Sequence, residues 1–119
     1  MSAAGAQTRP VDLVHLATYT GGDATLNAEV LRLFVDQVAM LMRQLQTVLE
    51  TRDQKSWREI THSIKGAARG IGAFALADAA AVAEPFVLAE DAAGALGAVQ
   101  ALNGRMRAVQ LFIEAYLGH

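Results

Sequence analysis

The chain has 119 residues, of which 53% are apolar, 6% aromatic and 18% charged, with no cysteine and a formal net charge of −2. Domains usually hold about 100–150 residues, so that length fits one core and excludes a multidomain enzyme. The missing cysteines exclude disulfide scaffolds, thiolate zinc sites and cysteine nucleophiles, and the near-neutral charge opposes a surface that grips nucleic acid or anionic lipid as a whole.

The start, Met1 to Pro10, lacks the apolar core of a signal peptide and reads as a tail over residues 1–10, ahead of one domain over residues 11–119. No stretch approaches the roughly 20 uncharged apolar residues of a membrane span, so the expectation is a cytoplasmic protein. A short first helix fits Val11 to about Tyr19, with Gly21-Gly22 breaking it. Asp23 or Thr25 then caps a long second helix to about Thr51. In it Leu26, Val30, Leu33, Phe34, Val38, Leu41, Leu45, Val48 and Leu49 recur at steps of three and four as an apolar stripe. Asp53 caps a third helix to about Ile71, where Gly70 and Gly72 supply the stop. A fourth, alanine-rich helix begins near Phe74, and Pro85 kinks or ends it by removing a donor and crowding the carbonyl of Ala81. The fifth runs from Ala92 to Leu117 on a stripe of Leu96, Val99, Leu102, Met106, Val109, Phe112, Ile113 and Tyr116. These segments predict an all-α fold, an antiparallel four-helix bundle with a short additional N-terminal helix.

Helical residues advance by about 100°, which lays the third helix out around its axis. With Ile64 at the centre, Trp57, Ile60, Ala68 and Ile71 fall within roughly 40°, and Thr61 and Ala67 about 60° off, so this face is buried. His62 lies about 160° away among Lys55, Arg58, Glu59, Lys65, Gly66 and Arg69, facing water. Arg52, Lys55, Arg58, Lys65 and Arg69 are half of the chain's ten basic residues, gathered over residues 52–69 of a net acidic protein. Glycine inside a helix costs about 1 kcal/mol relative to alanine, so Gly66 on the wet face calls for a reason, and a bare turn beside the imidazole lets another molecule approach closely.

The run Thr61-His62-Ser63-Ile64-Lys65-Gly66-Ala67-Ala68-Arg69-Gly70-Ile71-Gly72-Ala73 resembles the signature of histidine-containing phosphotransfer (HPt) domains: His, two residues, Lys-Gly, five residues, Gly. The wording His-Ser-Ile-Lys-Gly is especially similar to the phosphotransfer domain at the front of chemotaxis histidine kinases. The resemblance implies a four-helix bundle with a short leading helix, His62 as phospho-acceptor, Lys65 as its cationic neighbour and Gly66 as the open turn. It also points to Glu84, twenty-two positions after His62, where the family often has a Glu or Gln that hydrogen-bonds the imidazole. The second histidine of the chemotaxis-type pattern is replaced by Ala81, and Pro85 leaves open whether Glu84 reaches His62.

In chemical terms, imidazole is a good nucleophile near pH 7 because its ordinary pKa is ~6.5. If Glu84 holds one ring nitrogen as a donor, Nε2 is free to attack phosphorus, and Lys65 and Arg69 offset charge on the phosphoryl oxygens. Lys55, Arg58 and Gly66 are expected to dock the partner. The implied partners are receiver domains of response regulators and hybrid histidine kinases, which bring their own Mg²⁺, so no cofactor or metal ligand is expected in this chain. A monomer is expected, and a start at Met1 with an end just after the last helix favours an independent shuttle over a fragment of a chemotaxis-type kinase.

Other readings fit less well. Kinase dimerisation helices typically carry an acid directly after the histidine and a proline a few residues later, where this chain has Ser63 and Ala67. Glu59-Ile60-Thr61-His62 has the Glu-x-x-His spacing of di-iron bundles, but those need two such motifs facing inward. No aromatic residues interleave the basic positions as single-strand nucleic-acid binding needs. A non-catalytic interaction bundle is the remaining alternative, and it suffices for His15 and His119.

Overall fold

The computed structural model describes residues 9–118; His119 and the expected tail up to residue 8 lie outside them. Five helices follow in chain order: α1 Leu13–Thr20, α2 Ala24–Thr51, α3 Gln54–Ile71, α4 Phe74–Ala83 and α5 Ala92–Leu117. The described residues contain no strand. Helices α2 to α5 run up and down as a bundle, with α1 laid across α2 and α3.

Local chemistry explains the boundaries. Asp12, Asp23, Asp53 and Asp91 cap α1, α2, α3 and α5, each accepting from a backbone N–H of the first turn that has no helical partner. Between the two candidates for the α2 cap, Asp23 is the one used, receiving Leu26 N–H at 2.8 Å. Gly72 ends α3 at φ 85°, and a Cβ there would lie 2.7 Å from the carbonyl oxygen of Asp12. The backbone N–H of Asp12 donates to the Gly72 carbonyl at 2.9 Å, so the end of α3 and the start of α1 are fastened together where only glycine fits.

The core is drawn from all five helices, including Leu16, Phe34, Val38, Leu45, Trp57, Ile64, Leu76, Leu102 and Ile113. Two expected stripe assignments are corrected. On α2, Leu26 and Leu33 are exposed, Leu33 by 69%, while Leu31 and Met42 are buried in their place. Leu33 lies about 140° around the helix from buried Val38, so steps of three and four taken together span two faces of α2. On α5, Leu96 is exposed while Ala95 and Ala98 are buried. Ala77, Ala80 and Ala83 of α4 are buried as well, so alanines of both helices share the core with Leu76, Val99 and Leu102. Thr20, Asn27 and Tyr116 tie three helices together: the Asn27 amide donates to the Tyr116 hydroxyl at 3.1 Å and its oxygen pairs with the Thr20 hydroxyl.

Helix α4 ends at Ala83, two residues before Pro85, as expected of a residue that cannot donate. Residues 84–91 then carry the chain to α5 with Leu88 buried.

Candidate functional site

Helix α3 divides cleanly between water and core. Trp57, Thr61, Ile64, Ala68 and Ile71 are buried, and Thr61 is satisfied by donating its hydroxyl to the Trp57 carbonyl at 2.8 Å. Thr61 is thus more deeply buried than Ile60, which is half-buried. On the outer side the His62 side chain is 70% exposed. Lys55, Arg58, Glu59 and Arg69 are exposed around it.

Across from this face stands the end of α4. Glu84 brings Oε2 to 3.5 Å from His62 Nδ1 and accepts from Lys65 Nζ on Oε1 at 2.6 Å. Pro85 therefore does not turn the carboxylate away. Glu84 keeps helical backbone angles, φ −55° and ψ −44°, and its N–H donates to the Ala80 carbonyl at 3.0 Å, which aims the side chain back at α3. The ammonium of Lys65 is the main reason the Glu84 carboxyl sits below the usual glutamate range; partial burial opposes this, and His62 adds a smaller pull in the same direction.

Lys65 differs from its expected placement. Its side chain is only 18% exposed and its charge is engaged by Glu84, so it does not stand free beside the imidazole. Lys55, Arg58 and Arg69 form no ion pair among the described residues. Gly66, one turn after His62, has nothing within 4 Å of where a Cβ would stand, and neither has Gly70. The helix surface next to the imidazole is bare backbone. Beside it a shallow groove of about 420 Å³ is lined by Arg58, Ala81, Glu84 and Pro85, Ala81 being the position where the chemotaxis-type pattern carries its second histidine.

This arrangement is an exposed imidazole with Nδ1 facing a carboxylate. A family model, described as Hpt domain, matches residues 29–115, which include all of α3, α4 and the His62, Lys65 and Glu84 positions. The chain belongs to the Hpt domain family. No curated protein and no solved structure matches it. Hpt domains serve histidine phosphotransfer in phosphorelays and interact with receiver domains, and the bundle described above is the fold such a domain requires.

Two residues of this Hpt domain escaped the sequence reading. Trp57 was legible only as core, yet its indole N–H donates to the Ala83 carbonyl at 3.0 Å, directly before Glu84. A buried tryptophan needs a partner for that N–H, which is the signal that was available. Gln54 carried no signal at all, because its partners, the Phe86 carbonyl and the Leu88 N–H, lie more than thirty residues away in sequence. Among the described residues no three His, Asp or Glu side chains gather to hold a metal ion, and no helix is long and apolar enough to cross a membrane.

Proposed function

We propose that this Hpt domain is a phosphorelay carrier in which His62 takes a phosphoryl group from the phospho-aspartate of one receiver domain and passes it to the aspartate of another. The observation that carries this reading is the exposed imidazole whose Nδ1 faces Glu84, itself held by Lys65. With the proton kept on Nδ1 toward the carboxylate, Nε2 retains its lone pair and attacks phosphorus. The N–P bond forms as the bond from phosphorus to the aspartyl oxygen breaks, and the receiver's aspartate leaves as a carboxylate. Glu84 balances the positive charge that the ring gains, and the reverse step returns the group.

Metal for the transfer comes as Mg²⁺ with the receiver's aspartate, and this chain contributes no ligand to it. Arg69, exposed and unpaired among the described residues, offsets charge on the phosphoryl oxygens, whereas Lys65 acts by anchoring Glu84. Lys55 and Arg58 offer positive charge to an acidic receiver face, and the bare turn at Gly66 lets that face come close. The domain works as a cytoplasmic monomer, a carrier whose phosphoryl donor is a receiver rather than ATP.

Incubation with a phosphorylated receiver and Mg²⁺ should yield an acid-labile, base-stable label on the protein, and His62→Gln should abolish it. Label retained in His62→Gln would sink the assignment.

A further inference from the structure

We propose that Gln54 and Trp57 are positioning residues for the phosphotransfer histidine: they hold the backbone on both sides of Glu84 so that its carboxylate stays within reach of His62 and Lys65. This rests on the reading of His62 as phospho-acceptor. The contacts bracket Glu84 closely. On its N-terminal side the Ala83 carbonyl accepts from the Trp57 indole at 3.0 Å and from the Phe86 N–H at 3.2 Å. On its C-terminal side the Gln54 carboxamide uses both ends, donating Nε2–H to the Phe86 carbonyl at 2.9 Å and accepting the Leu88 N–H on Oε1 at 2.8 Å.

A clamp is needed here because of Pro85. A residue before proline prefers extended backbone, and proline offers no N–H to continue the helical ladder. Glu84 is nevertheless helical, the conformation that points its side chain at α3. Helix α3 supplies what the ladder lacks: its first two turns bind the chain at residues 83, 86 and 88, and its third and fourth turns carry His62 and Lys65. Nucleophile and orienting carboxylate are thereby referenced to one rigid helix. Gly94 on α5 leaves room beside this connection, since a Cβ there would fall against the Asp91 carboxylate and 2.6 Å from the Phe86 ring.

The test compares Gln54→Ala, Trp57→Phe and Glu84→Ala in the full chain. Trp57→Phe keeps an aromatic ring in the core while removing the donor together with some buried volume, and Gln54→Ala, at a half-buried edge position, removes hydrogen bonds without touching the core even if the tryptophan variant melts. Two readouts need no receiver: the Glu84 carboxyl titration by ¹³C NMR and the His62 tautomer by ¹⁵N NMR. In both clamp variants the Glu84 titration should move up toward the ordinary glutamate range, and the tautomer ratio should move toward that of Glu84→Ala. Gln54→Glu, which keeps the bond from Leu88 but loses the one to Phe86, should fall between Gln54→Ala and the parent. Transfer from a receiver should slow about fivefold in each clamp variant, as expected for the loss of one ordinary hydrogen bond. Parent-like titration and tautomer in both clamp variants would overturn the proposal. If the parent protein took no label at all, the phosphotransfer reading would fall instead, while the NMR comparison would still decide whether the clamp holds Glu84.

Discussion

Gly66 separates stability from function in a way that one substitution can measure. It sits inside α3, where glycine loses about 1 kcal/mol relative to alanine, and no atom lies within 4 Å of the position a Cβ would occupy. Gly66→Ala should therefore stabilise the free domain by about 0.5–1 kcal/mol. Unfolding entropy of about 2.1 cal/mol/K per residue over roughly 110 ordered residues gives about 230 cal/mol/K, so the gain corresponds to a rise in Tm of about 2–4 °C. Gly70→Ala, equally open, should rise by the same amount and serves as a reference at a greater distance from His62. A larger side chain, Gly66→Leu, should leave the domain at least as stable as the parent while slowing receiver-dependent phosphotransfer at least tenfold, because it fills the bare turn one step from the imidazole. Thermal melts by circular dichroism and a timed phosphotransfer assay on the same preparations supply both numbers. A loss of stability in Gly66→Ala would refute the reading of this turn as open helix, and a parent-like transfer rate in Gly66→Leu would refute its use as a contact surface.

Other consequences follow from the same geometry. Lys65→Ala should let the Glu84 carboxyl titrate nearer the ordinary glutamate range and slow transfer while the bundle still folds with only a slightly lowered Tm at neutral pH, which NMR titration and circular dichroism check together. Because the Glu84 carboxyl is held low in the folded state, its pairing with Lys65 favours folding fully above the ordinary glutamate pKa of ~4.3 and is lost as pH falls through the depressed folded value. Stability of the parent should thus drop more steeply than that of Glu84→Gln in the acid range, and the two curves should run parallel near pH 7. Gly72→Ala should cost about 2 kcal/mol or more in chemical denaturation, from its left-handed backbone and the approach to Asp12. Leu31→Ala should cost about 2–5 kcal/mol and Leu33→Ala no more than about 0.5, a contrast that tests which side of α2 faces the core.

The parts of the fold legible in the sequence are those governed by short-range chemistry. Aspartate side chains at residues 12, 23, 53 and 91 reach backbone groups two or three residues ahead, and Gly21 and Gly72 adopt the left-handed ends of their helices, so the boundaries of α1, α2 and α3 could be placed from neighbours alone. The exposure of His62 followed from the same local regularity, because angular position around α3 is fixed by residue number and its opposite face is strongly apolar. The faces of α2 and α5 were less legible. Both helices are apolar on more than one side, and which leucine is covered depends on where the neighbouring helices lie.

The sequence by itself determined the helices, the water-facing histidine and the open glycine turn, which follow from capping groups and angular position along a single helix. Only the tertiary structure decided the arrangement around Glu84: that it reaches His62 despite Pro85, that Lys65 is engaged by it, and that Trp57 and Gln54 bind the chain on either side. The physical reason is range. A hydrogen bond or ion pair forms only within a few ångströms, and whether residues nineteen to thirty-four positions apart come that close is set by how α3 and α4 pack, a property that no local pattern encodes.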